Sequence, residues 1–297
     1  MKIAKKSYYL KIENITIPVI SLKSNKPGPK VLITACMHGD EKGSNAVAKK
    51  LIKILENNLL KGELYVLPLL NPIGFKQNSR YIDKKDLNDF FPGKKDGNIT
   101  EKVAFRIFSE IMQIKPDIAI DLHNDWKKST HYALIDPKHK NTESKIYNKT
   151  LEYGKNLGIP FVLDTDNLKD SLSFQLLKNN IPSIVIELEA EADGLKILLN
   201  FLSLLKMVNY RSKMKLRKIL NKKLLNYSVG PLPRREGFVK FLVNPGGIIK
   251  KGKAVAQIKD NNETVEILYS KDNAAVLSLT DSVKVKKREQ VVALGVL

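Results

Sequence analysis

The sequence predicts an α/β fold followed by a smaller all-β region. Three observations predict it. Short apolar runs alternate with stretches of helical period as far as about residue 209, helical period disappears after about Tyr227, and the β-type runs beyond that point are punctuated by Pro-Gly-Gly and Gly252. At roughly 100–200 residues per domain, 297 residues suit two units, expected at 1–226 and 227–297.

The elements follow in order. VLITAC (31–36) is short, apolar and preceded by Pro-Gly-Pro, which suits a buried strand. Residues 42–56 set Val47, Leu51, Ile54 and Leu55 on one helical face. ELYVLPLL (63–70) reads as the next strand. Residues 101–114 carry Val103, Ile107, Ile111 and Ile114 at helical spacing. DIAIDL (117–122) and SIVIEL (183–188) are further strands, and a helical pattern around 195–209 closes the region. Strands alternating with helices imply a sheet covered on both faces.

Composition excludes several classes. With 43% hydrophobic and 28% charged residues, the chain is neither a disordered tail, a collagen nor a coiled coil. Its single cysteine, Cys36, excludes a disulfide framework and a cysteine-based zinc finger. The first twenty residues lack an uninterrupted apolar run and a small-residue cleavage site. The most apolar stretch, Leu195 to Val208, is broken by Lys196 and Lys206. A cytoplasmic protein without a membrane partner is expected. The net charge of +20 comes mostly from lysines spread along the chain, with the densest run from Arg211 to Lys223. That run reads as a solvated helix face, so a nucleic-acid partner is disfavoured despite the charge. A homo-oligomer is left open.

The chemistry sits where the apolar strands end. VLITAC runs into His38 and Glu41, ELYVLPLL into Asn71, and DIAIDL into His123, while Glu187 lies near the end of SIVIEL. In an open α/β sheet the ligand crevice lies beyond the carboxyl ends of the strands. His38 and Glu41, three apart at a strand-to-helix turn, can bend toward one point and join His123. Two histidines and one glutamate with a fourth position open describe a catalytic zinc site, one Zn2+ per chain. Glu187 is then free to act as a base. Asn71 is the strand-end candidate for substrate contact.

The segments ITACMHGDE, NPIGF, SRYIDKKDLNDFFPG, AIDLHN and IPSIVIELE resemble the succinylglutamate desuccinylase/aspartoacylase family, part of the zinc carboxypeptidase superfamily. The resemblance covers about residues 31–189, and the β-rich tail is similar to the family's C-terminal domain. It implies a zinc-carboxypeptidase-like mixed sheet flanked by helices, with a small barrel-sandwich-like β domain behind it. It implies His38, Glu41 and His123 as metal ligands and Glu187 as the catalytic glutamate. It further implies Arg80 as an active-site arginine toward the substrate or reacting carbonyl, and Asn88 as a substrate contact. The activity implied is deacylation: a zinc-dependent amidohydrolase cleaving a small N-acyl substrate. A metallocarboxypeptidase acting on peptides, or a non-catalytic binder of metal or polyanion on the same fold, are the alternatives.

The chain departs from the family pattern at Asp89, where an arginine usually follows Asp86-Leu87-Asn88. Aspartate cannot fork onto a substrate carboxylate. If Asp89 faces the pocket it favours an amine; otherwise Lys84 or Lys85 supplies positive charge. Glu189 stands where the family commonly has glycine, on the same strand face as Glu187, and is a rival for the base. Asp121 shares a strand face with His123 and could orient a neighbouring side chain. His131 and His139 are expected to be exposed, and Cys36 to be a small buried hydrophobe. The tail also resembles lipoyl and biotinyl carriers, but Asn261 and Asn262 follow Asp260 where a modifiable lysine is expected. A role in capping or narrowing the cleft is expected of it instead.

Overall fold

The computed structural model describes residues 3–165, 168–189, 191–210 and 223–297. The basic run from Arg211 lies outside the described residues except for Lys223.

The first part of the chain contributes strands β1 (Ile3–Ile12), β2 (Ile15–Ser24), β3 (Lys30–Ala35), β4 (Glu63–Leu67), β5 (Ile118–Asn124), β6 (Lys128–Ser129), β7 (Tyr132–Ile135), β8 (Phe161–Leu163) and β9 (Ser183–Leu188). Its helices are α1 (Lys42–Leu55), α2 (Pro72–Gln77), α3 (Ile99–Ile114), α4 (Ser144–Asn156), α5 (Leu172–Lys178) and α6 (Glu191–Leu204), with a 3-10 turn at Leu87–Asp89. Every described element after residue 223 is a strand: β10 (Leu225–Ser228), β11 (Gly237–Phe241), β12 (Ile248–Ile249), β13 (Ala254–Asp260), β14 (Glu263–Tyr269), β15 (Ala274–Leu279), β16 (Lys284–Val285) and β17 (Val292–Val296).

Most strands join one mixed sheet in the order β1-β2-β4-β3-β5-β9-β7-β8-β10-β17-β15-β12, with β6 pairing β15. A second sheet runs β14-β13-β11-β16. The sheet is therefore continuous from the first part of the chain into the last through β8, β10 and β17. The expected α/β class with β strands behind it is what the structure has. No helix among the described residues is long and apolar enough to cross a membrane.

Parallel β3, β5 and β9 form the centre, covered on both faces. On one face Val31, Ile33, Ile118, Ile120, Leu122, Ile184 and Ile186 pack with Val47, Leu51 and Leu55 of α1 and Leu198 and Phe201 of α6. The other face carries Leu32 and Ala119 against Val103, Ile107 and Ile111 of α3 and Leu172 and Leu176 of α5. Successive strand residues point to opposite faces. Thr34, Asp121, His123 and Glu187 therefore all fall on this second face. Helix α3 starts with a capping box between Asn98 and Glu101. Helix α2 starts with Pro72 behind the capping Asn71.

Candidate metal and active site

The site begins at the end of β3. Cys36 adopts φ 56°, a left-handed turn costing a non-glycine residue about 1–3 kcal/mol. Its N–H is held by Ser44 Oγ at 3.0 Å. The turn throws His38 back over the sheet edge. Gly39 is required just beyond, because a Cβ there would meet the Gly74 carbonyl carbon at 2.0 Å. Glu41 then precedes α1, and its Oε2 accepts the backbone N–H of Asn124 at 3.1 Å.

His38, Glu41 and His123 converge so that one ligand atom from each lies within 4.8 Å of the others. His38 Nδ1 is 2.6 Å from Glu41 Oε1, and His123 Nδ1 is 3.1 Å from Glu41 Oε2. The two Nδ1 atoms are 3.2 Å apart. Each far nitrogen is held by a carboxylate: His38 Nε2 lies 3.1 Å from Asp86 Oδ1, and His123 Nε2 3.0 Å from Asp121 Oδ2. Asp121 in turn accepts from Thr34 Oγ1 at 2.7 Å. Both imidazoles thus turn Nδ1 inward beside a carboxylate, a nitrogen-nitrogen-oxygen donor set that could hold zinc.

The charges agree with that reading. Burial opposes ionisation of Glu41, but His123 and His38 outweigh it and lower the carboxyl to about 2. Burial likewise opposes ionisation of Asp86, and the His38 hydrogen bond and Arg80 hold it well below the usual carboxylate range. Glu187 differs. Its Cα pairs with His123 on one side and Tyr132 on the other. Burial pushes its carboxyl well above the ordinary value; His123 opposes this, while Asp125 and Glu41 add to it. Its Oε2 is buried without a hydrogen-bond partner. An orphan carboxylate oxygen beside a donor cluster is a candidate for proton transfer.

A cavity of about 570 Å³ reaches the cluster at Glu41 and is lined also by Arg80, Asn124, Trp126 and Glu189. Arg80 donates from Nε to Asp86 Oδ2 at 2.6 Å, and its Nη1 lies 3.7 Å from Glu41 Oε1. A larger cavity of about 1190 Å³ adjoins it, between the 127–130 segment and the C-terminal strands. Asp281 lines both and accepts the Lys127 N–H at 3.1 Å.

Some expected residues sit elsewhere. Asn71 is fully buried, accepts from Gly74 N–H at 2.7 Å and donates to the Arg80 carbonyl at 3.1 Å. It is not among the residues lining the cavity, and its amide holds the Arg80 backbone. Asn88 spends its Oδ1 on the Leu172 N–H at 3.1 Å. Asp89 is exposed close to Asp86, Arg80 and His38; burial and Asp86 raise its carboxyl while Arg80 and His38 oppose. His131 is half-buried and accepts the Glu189 N–H at 3.0 Å; His139 is half-buried beside Phe174. Asp86 is the site residue that sequence reasoning leaves without a role. The Asp-Leu-Asn motif marks its position, but nothing in the chain's period shows that it reaches His38.

Comparison with known proteins places the chain in a family. The succinylglutamate desuccinylase/aspartoacylase catalytic domain matches residues 27–202. The N-alpha-acetyl-L-2,4-diaminobutyric acid deacetylase of Halomonas elongata is 29% identical over 164 residues, 53% of this chain. The match spans about half, 47%, of that relative's length. An aspartoacylase family protein from Mesorhizobium loti superposes with a TM-score of 0.80 at 22% identity, covering 99% of this chain and 95% of its own. The product-bound ectoine utilization protein of Ruegeria pomeroyi gives 0.79 at 20% identity, covering 99% of this chain and 95% of its own. At these identities the structural likeness concerns the fold.

Proposed function

The chain belongs to the succinylglutamate desuccinylase/aspartoacylase family, whose members hydrolyse amide bonds, and from that premise we propose that it is a zinc-dependent deacylase of a small N-acylated amine. The observation that carries this is the pair of carboxylate-backed Nδ1 atoms facing Glu41, with the orphan Oε2 of Glu187 in register with His123.

His38, Glu41 and His123 would hold the zinc. When bound, it supplies an acidified water and polarises the amide carbonyl. Arg80, fixed through Nε by Asp86, keeps its remaining N–H groups for the carbonyl oxygen as negative charge builds there. Glu187 accepts the proton released as water adds to the carbonyl carbon and delivers it to the departing amine nitrogen. Water's oxygen ends on the acyl carbon, so the products are a carboxylic acid and an amine.

Asp89 lines neither cavity but lies close to Arg80 and His38, and through that charge it bears on the amine. A carboxylate in place of the family's arginine repels a second carboxylate and attracts an ammonium group. The Halomonas relative acts on an acetylated diamino acid, whose free amine carries that charge. We assign this chain an N-acyl substrate with a cationic group on the amine side.

The test is zinc content of the purified protein beside His38→Ala and His123→Ala. About one zinc per chain in the wild type, lost in both variants, is the expected result. N-acetyl-2,4-diaminobutyrate should then be hydrolysed faster than N-acetylaspartate. Folded wild type that takes up no zinc when it is supplied would overturn the reading.

A further inference from the structure

The cavity that reaches the triad at Glu41 is only part of the available space. The larger, 1190 Å³ cavity shares Lys127, Glu189 and Asp281 with it, so the two adjoin along those residues. Small-molecule sites usually measure roughly 300–1,000 Å³. An acetyl group leaves nearly all of this second arm unused.

The arm is a built cleft. Strand β6 pairs β15 with Ser129 opposite Ser278 and Lys128 opposite Leu279. Thr130 N–H donates to the Leu277 carbonyl at 2.8 Å, and Asp281 grips the Lys127 N–H. The wall that carries the lysines is thereby fixed to the C-terminal strands. Val239, Phe241 and Val243 give the cleft an apolar stretch. The Lys128 ammonium lies over the Phe241 ring, 5.6 Å from its centre, and Lys240 lines the same space. Neither Lys128 nor Lys240 forms an ion pair with a carboxylate among the described residues. Ser129 also lines the cleft, and its buried Oγ has no hydrogen-bond partner.

A mostly polar cleft with an apolar stretch, with the carboxylates Glu189 and Asp281 where it adjoins the first cavity and ammonium groups without an ion pair at Lys128 and Lys240, fits a chain with an apolar stem whose anionic end lies beyond those carboxylates. We propose that the acyl part of the substrate runs from the zinc site along this cleft as an extended acyl group, and that its distal carboxylate lies between Lys128 and Lys240. The cationic amine then sits on the Asp89 side and the acyl tail on the β-strand side, so the two ends of one substrate meet opposite charges. This rests on the deacylase reading for the direction of the chain but not for the existence of the binding arm.

The probe is free azelate, a nine-carbon dicarboxylate, titrated calorimetrically into the full chain beside nonanoate and acetate. Azelate should bind at least tenfold more tightly than nonanoate, which lacks the second charge, and more tightly still than acetate. Lys128→Glu with Lys240→Glu should weaken azelate at least tenfold, while Lys128→Arg with Lys240→Arg should retain it. In turnover, the azelaoyl amide of 2,4-diaminobutyrate should exceed the acetyl amide in kcat/KM, and the double Glu variant should lose at least tenfold more on the azelaoyl than on the acetyl substrate. Equal binding of azelate and nonanoate, or azelate binding unchanged in the double Glu variant, overturns the proposal. Loss of zinc and of all turnover with the azelate pattern intact would instead strike the deacylase reading alone.

Discussion

Each histidine of the site has one nitrogen spent on an aspartate, and that decides which nitrogen is left for a metal. Asp86 holds His38 and Asp121 holds His123. Partners of this kind typically contribute 10–100-fold to metal affinity. Asp121→Asn should therefore weaken zinc binding by roughly that factor without unfolding the protein, measurable by competition with a chelator. Glu187→Gln should behave differently: zinc content unchanged and kcat lower by about 10²–10⁴-fold. Loss of zinc from Glu187→Gln would show that the residue serves the metal. His38, Glu41, His123 and Glu187 are legible in sequence because each sits where an apolar strand stops. The reach of Asp86 to His38 and the hold of Asn71 on the Arg80 backbone are not, because they depend on how the 71–88 loop folds back, and no periodicity encodes that.

The central elements are readable for a related reason. SIVIEL is bounded as β9 where its apolar run begins and ends, and α1 and α3 follow their buried stripes. The N-terminal hairpin of β1 and β2 is harder to see. Its inward residues Leu10, Ile12, Ile15, Ile17 and Val19 alternate properly, but Lys5, Lys6 and Lys11 sit on the edge strand and mask the period. Helix α6 ends at Leu204 although the helical pattern continues to about 209; Lys206, at φ 57°, leaves the helical region. One element junction carries a pH signature. Asp136, just after β7, is buried and hydrogen-bonded to Ser173 near the start of α5; burial pushes its carboxyl up to about 7 from 3.8. The folded state thus binds this proton more tightly than the unfolded chain. The group's effect is neutral below about pH 4 and becomes increasingly costly as pH rises toward 7. Each tenfold difference in proton affinity between the two states is worth about 1.4 kcal/mol. Asp136→Asn should therefore leave stability nearly unchanged at pH 4 and gain a few kcal/mol at pH 8. Denaturant melts at the two pH values measure this, and an equal difference at both would exclude the titration.

Across the whole molecule, the change of composition after Tyr227 marks a change of secondary structure, yet the sheet does not stop there. Leu225, Ala275, Leu277 and Ala293 pack with Tyr132 and Val162 in one buried cluster. A chain ending at residue 226 would expose that cluster and leave the remnant of β10, Leu225 and Asn226, with its β17-facing edge open. Burying a large apolar side chain is worth about 1.5–3 kcal/mol, and an open edge invites pairing between chains. Such a chain is expected to elute from size exclusion as aggregate and to lack a cooperative melt; a monomer melting like the full chain would show that the first part stands alone. Sequence could not supply this connection, since strand pairing across some 150 residues leaves no local trace.

That pairing also sets an order of events during synthesis. Ser129 must wait for Ser278, and Lys127 for Asp281, while β3, β5 and β9 are already free to assemble. Contacts so distant along the chain form slowly, because loop closure is paid before the contact rewards it. The strands that carry His38 and His123 can therefore begin to pair before residues 274–296 arrive, but the sheet edge they leave stays open until those residues wall the cleft. The wall that gives the substrate its bearings is the last part to close.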